Sequence, residues 1–106
     1  MGYFSNPLPE YETRGVAEHV DPFIVLICVK MLSELKESGI EPDYLQVYRL
    51  SYNSETNLLT VRHSQEVPGY EKVSTTELPA DVKPYEGKLF YIDDGEYRTI
   101  LLAEEY

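Results

Sequence analysis

Between Asp21 and Pro42 the chain carries one helix-length apolar segment, "DPFIVLICVKMLSELKESGIEP", while the residues around it read at strand or turn period. One long helix among short alternating segments leaves few ways to bury both apolar sides. The simplest lays the helix across one face of a sheet. Its ends are well marked: Asp21 can cap the free N–H groups, and Pro22 suits the first helical position. Gly39 can take the left-handed conformation after the last turn, Ile40 is placed for the accompanying apolar contact, and Pro42 blocks continuation. These signals predict a helix of about 17 residues. Ile24, Ile27, Cys28, Met31 and Leu35 form a core stripe, and Ser33, Glu34, Lys36 and Glu37 face water. Phe23, Val25, Leu26 and Val29 leave the first two turns apolar all round. A sheet must therefore take one side, and the N-terminal arm or a second subunit the other. Cys28 lies inside this run and reads as a buried, inert thiol.

With 106 residues the chain is expected to form a single domain, 1–106, and its 42% apolar and 26% charged residues are too apolar for a disordered chain. One cysteine allows neither an internal disulfide nor a thiolate cluster, which fits a reducing, cytoplasmic setting. The start "MGYFSNPLPEYETRG" lacks a basic segment followed by an apolar core, and the run Phe23–Val29 is far short of the ~20 residues that span a bilayer. No export signal, membrane anchor or membrane partner is expected. A net charge of −10 should repel phosphate backbones and anionic lipid, which argues against direct nucleic-acid binding. It could instead mimic nucleic acid, but the charge is spread evenly along the chain, as solubility alone requires. Ten tyrosines and no tryptophan supply half-buried strand bulk and polar tips suited to binding surfaces.

Residues 1–10, with "NPLPE", read as an irregular arm, and a short strand is expected around Glu12 to Val16. After the helix, "DYLQVYRLSY" and "NLLTVRHSQE" alternate at period two around "NSET". If Asn53 to Thr56 form the loop, Tyr52 faces Asn57; Leu50 then faces Leu59, Tyr48 Val61 and Gln46 His63 on the helix side. Arg49 with Thr60 and Val47 with Arg62 lie on the other face. "YEKVSTTEL" reads as a third strand and "PADVKPYEG" as a loop. The closing hairpin is expected to turn on Asp94-Gly95, with Asp93 facing Glu96 and Ile92 facing Tyr97. Ile100, Leu101 and Leu102 in succession predict a last strand covered on both faces.

Two stretches could hold chemistry. "HSQEVPGY" brings an imidazole, an amide and a carboxylate together, but on a strand His63 and Gln65 share a side while Glu66 points away, which defeats a general acid–base pair unless a bulge intervenes. Asp93-Asp94-Gly95-Glu96 lacks the spacing of a calcium loop and reads as a turn. His19 and His63 make no metal motif. No catalytic residue, cofactor or metal is assigned.

"YETRGV" at 11–16, "DYLQVYRL" at 43–50, "HSQEVPGY" at 63–70 and "IDDGEYRTILLAEEY" at 92–106 resemble a family of small proteins of low-GC Gram-positive bacteria, a domain of unknown function first described from staphylococcal sequences. Nearly the whole chain is covered. The family pattern would place an aromatic residue near Cys28 to Met31, and this chain has none. The resemblance implies a cytosolic bacterial origin and brings no activity, cofactor or catalytic residue with it.

The fold expected is α+β, one long helix packed on a mainly antiparallel sheet of five to six strands. The function expected is a non-enzymatic protein-interaction module, with Tyr44, Gln46, His63 and Gln65 as candidate surface residues and self-pairing through the apolar helix start as a second contact. The alternative is an acidic inhibitor that occupies a nucleic-acid-binding groove. A third reading, an enzyme using His63, needs a pocket beside that residue.

Overall fold

The structure, a computed structural model, describes residues 2–106. In chain order the elements are β1 (Glu10–Glu12), α1 (Arg14–His19), α2 (Pro22–Glu37), β2 (Leu45–Asn53), β3 (Leu58–Gln65), β4 (Tyr70–Glu77), β5 (Gly87–Asp93), β6 (Arg98–Leu102) and a 3-10 turn at Ala103–Glu105. The strands form one six-stranded sheet in the order β1-β6-β5-β2-β3-β4. β1 runs parallel to β6, and all other neighbours are antiparallel. This is the α+β arrangement expected from a single long helix.

The helix α2 begins and ends where its punctuation places it. The Asp21 side chain accepts a hydrogen bond from the Phe23 N–H at 2.9 Å, Pro22 occupies the first turn, and Gly39 follows the C-cap with φ +85. Ile24, Cys28, Met31, Leu32 and Leu35 are buried against the sheet, and Ile27 is half-buried. Ile24, Cys28, Met31 and Leu32 meet Tyr48 and Leu50 of β2, Leu59 and Val61 of β3, Leu89 and Tyr91 of β5, and Ile100 and Leu102 of β6 in one core, with Ile27 packed against it. Each fully buried side chain of this size contributes roughly 1.5–3 kcal/mol. The helix is also pinned by a directed contact, because the Tyr48 hydroxyl donates to the Cys28 carbonyl at 2.8 Å. Burial pushes the Cys28 thiol up to about 12, as befits an inert side chain.

The segment expected as a strand over Glu12–Val16 is instead divided. Pairing ends at Glu12, and Thr13 caps α1 by accepting from the Val16 N–H at 3.3 Å. The Thr13 hydroxyl donates to Glu105 at 2.6 Å, and the same carboxylate accepts from the Gly15 N–H at 3.3 Å and the Leu102 N–H at 2.8 Å. A Cβ at Gly15 would lie 2.6 Å from Glu105 Oε2, so a larger residue there would push this flexible carboxylate aside and loosen the tie.

Both hairpin registers differ from expectation. Asn53 faces Leu58, so Leu50 faces Val61 and Tyr48 faces His63, while Arg49 faces Arg62. Asp93 faces Arg98 and Ile92 faces Thr99. Side-chain turns explain both results. Asn53 Oδ1 accepts from the Glu55 and Thr56 N–H groups, and Asp94 Oδ1 from those of Glu96 and Tyr97. Asp94 to Tyr97 therefore make a four-residue loop in place of a two-residue one. In each case the partner moves by two residues, which preserves the face of every side chain.

β6 lies between β1 and β5, and Ile100, Leu101 and Leu102 are all buried, as their uninterrupted apolar run predicts. No helix among the described residues is long and apolar enough to cross a membrane.

Candidate interaction surface

Gln46, His63 and Gln65 are brought together, but inside the protein: their exposures are 0%, 0% and 6%. Of the four candidates for a contact surface, Tyr44 alone is open, at 43%. The correction follows from the shifted register, which sets His63 beside Tyr48 under the helix and not at the sheet's rim. The His63 ring stacks on Tyr48 at 4.4 Å between centroids, with Tyr70 edge-on at 5.6 Å. Its Nε2 is 2.7 Å from Gln46 Oε1, so Nε2 carries the proton and donates. Gln46 Nε2 passes hydrogen bonds to Gln65 Oε1 and the Asp43 carbonyl, and Gln65 Nε2 to the carbonyls of Glu41 and Pro68. This chain of amides satisfies the backbone of two loops from within the core. His63 Nδ1 is left without a partner, and burial lowers the imidazole to about 4. Glu66 is exposed while His63 is enclosed, so the two do not share a solvent-facing position.

Asp93 is more than a turn residue. It is 3% exposed, accepts the Phe4 N–H at 2.7 Å and the Gly95 N–H at 2.8 Å, and lies 3.6 Å from Arg98 Nε. Arg98 reaches the Asn6 carbonyl and sits over the Phe4 ring, 5.3 Å from its centroid. Lys36 of α2 donates to the Phe4 carbonyl at 2.6 Å, and Phe4, 1% exposed, packs edge-on against Tyr91. The arm is thus docked by a buried carboxylate that its own sequence does not announce. Tyr91 in turn donates its hydroxyl to Glu10, and burial with that contact raises its pKa.

The helix start is partly covered. Val25 and Val29 line a groove with Glu10, Tyr11, Glu12, Tyr91 and Ile100, while Leu26 remains 66% exposed. No group of three or more potential metal ligands comes together among the described residues.

The face of the sheet opposite α2 is open. Its registers align side chains in rows across the strands. One row runs Leu101, Phe90, Val47 and Ser64 over β6, β5, β2 and β3. The next row runs Lys88, Arg49, Arg62 and Val73 over β5, β2, β3 and β4. Tyr106 leans edge-on against Phe90 at 5.3 Å, and Tyr11 and Tyr97 pair at 5.6 Å near the far end. These three tyrosines are 72%, 58% and 42% exposed. Such a concentration of open aromatic and aliphatic surface beside long cationic side chains is the composition of a contact surface. Sequence reasoning missed it because the row depends on β5 pairing with β2, a long-range choice with no local signal.

A family profile described as "Staphylococcal protein of unknown function (DUF960)" matches residues 10–105. A crystal structure of a protein of unknown function from Enterococcus faecalis superposes with a TM-score of 0.72 at 23% identity, covering 100% of this chain and 97% of that one. At that identity the likeness speaks to the fold. The comparison with curated proteins returns no match.

Proposed function

We propose, from the premise that this chain belongs to the staphylococcal family of unknown function, that it is a non-enzymatic, cytoplasmic protein-interaction module working through its open sheet face. The observation that supports this reading most is the one-sided sheet. α2 and the docked arm cover one face, while the other presents Phe90, Ile92 and Val47 half-buried among exposed Tyr11, Tyr97 and Tyr106. The reactive groups point the same way: Cys28 and His63 are enclosed and held in their neutral forms by burial. The alternative, an acidic inhibitor of a nucleic-acid-binding protein, needs carboxylates on its contact face. The centre of the open face offers Arg49, Arg62 and Lys88, with Glu71 and Glu77 on the edge strand β4, which favours the first reading.

Capture from host lysate with the native protein and with Val47→Asp and Ile92→Asp tests the proposal. A stoichiometric protein partner held by the native chain and lost by both variants supports it. A partner retained equally by both variants, with their fold intact by circular dichroism, excludes the open face. A partner released by modest salt from every form, and itself a nucleic-acid-binding protein, favours the inhibitor.

A further inference from the structure

We propose that the row Lys88, Arg49, Arg62 seats a short extended segment of the partner protein in which acidic and apolar residues alternate. This rests on the open face being a protein-binding surface and adds the chemistry of what binds there.

The row is unusual for this chain. Nineteen acids face nine bases in the whole sequence, yet three of those bases stand side by side on neighbouring strands. Arg49 faces Arg62 on one side and Lys88 on the other, and like charges directly opposite each other destabilise a sheet. Among the described residues no carboxylate lies within ion-pair distance of Arg49 or Lys88; Arg62 has Glu71 at 3.4 Å, and Lys88 lies 5.8 Å from the Phe90 ring centroid. All three cations are exposed. The fold thus holds a local positive strip whose repulsion an incoming anion would relieve.

The geometry narrows the anion. With strands about 4.8 Å apart, the outer members of the row are roughly 10 Å from each other, and the apolar row of Phe90 and Val47 lies about 7 Å away along the strands. An extended segment lying flat between the two rows would send alternate side chains to either side. Carboxylates would reach the cations, and apolar side chains would meet Phe90 and Val47. A long polyanion fits less well, because beyond the strip it would run against the rest of a chain that holds nineteen acids and only six further bases. A short peptide confines its charge to the strip.

The probe is a short fluorescein-labelled peptide of alternating glutamate and leucine, beside the same peptide with glutamine for glutamate, read by fluorescence anisotropy. The native protein should bind the glutamate peptide more tightly, with the preference shrinking as salt rises. The combined variant Arg49→Gln, Arg62→Gln, Lys88→Gln should bind it about tenfold more weakly, as loss of three exposed ion pairs implies. That variant should be at least as stable as the native protein, since it removes opposed like charges. Equal binding of the two peptides, or no loss in the variant, would overturn the proposal. Tighter binding of oligothymidylate than of the glutamate peptide, with the same loss in the variant, would assign the strip to nucleic acid instead. A native dimer that dissociates in the variant would assign it to a second copy. If a captured partner is lost with Val47→Asp but kept by the triple variant, the acidic seat falls while the broader reading of the open face stands.

Discussion

The burial of His63 makes a quantitative demand on stability in acid. A solvated imidazole takes up its proton near 6.5, whereas in the folded protein burial depresses that value to about 4. Its neighbours give the imidazolium no help. Tyr48 and Tyr70 flank the ring, Gln46 already accepts the Nε2 proton, Nδ1 has no acceptor, and the residue opposite on β4 is Lys72. Because the folded value is the lower one, the unfolded chain binds a proton first as pH falls. Stability is therefore full above about 6.5 and drains away as pH descends towards 4. A shift of about 2.5 units corresponds to about 3 kcal/mol between neutral pH and pH 4. Set against a total of roughly 5–15 kcal/mol for a domain, that loss is readily measured. Urea titrations followed by circular dichroism at stepped pH, on the native protein and on His63→Phe, isolate it from the carboxylates, which both forms share. The native protein should lose about 3 kcal/mol more than the variant over this interval. Parallel curves for the two proteins, or a His63 ring whose NMR shifts titrate near 6.5 in the folded state, would refute the reasoning.

Asp93→Ala should cost about 3 kcal/mol, since it leaves the Phe4 N–H without its buried acceptor and the Arg98 guanidinium without its buried counter-charge, and should expose residues 2–9 to limited proteolysis; a protected arm in that variant would contradict the anchor. Cys28, 0% exposed, should resist a disulfide reagent in the folded protein at mildly alkaline pH and react at once in denaturant; fast labelling of the native state would show the α2–sheet contact to be open. Leu26→Ser should alter stability by no more than about 0.5 kcal/mol, whereas Ile24→Ala should cost about 3 kcal/mol; similar losses in denaturant titration would mean that the helix face is assigned wrongly. If self-pairing uses the helix start, sedimentation of Leu26→Ser should show a weakened dimer, and an unchanged dimer would exclude that contact.

What could be read from the residues alone was local in origin. Asp21, Pro22 and Gly39 mark α2 because caps and left-handed turns involve neighbours only. The core faces of β2 and β3 were legible because alternation survives a register change of two residues, as their hairpin shows. The registers themselves were not legible, since Asn53 and Asp94 can close their turns with side-chain oxygens in more than one way. α1 was hidden because six residues are too few to show a helical period, although its cap at Thr13 is local. The same holds for the site: Gln46 and His63 read as helix-side residues at the rim, the two-residue shift carries His63 inward along that face to Tyr48, and the cation row needs a β5–β2 pairing that no short motif encodes.

The docking of the arm also governs the order in which the protein can be assembled as it is synthesised. Phe4 needs Asp93, Glu10 and Tyr11 need Arg98 and Thr99, and Thr13 needs Glu105. These segments thus leave the ribosome well before the residues they depend on. The β2–β3–β4 meander with α2 can form from contiguous sequence, whereas β1 and α1 must wait for β6, with a large loop to close before any contact rewards it. Throughout that interval Tyr11 and the apolar start of α2 have no β6 beside them, which leaves this part of the nascent chain vulnerable until β6 has emerged.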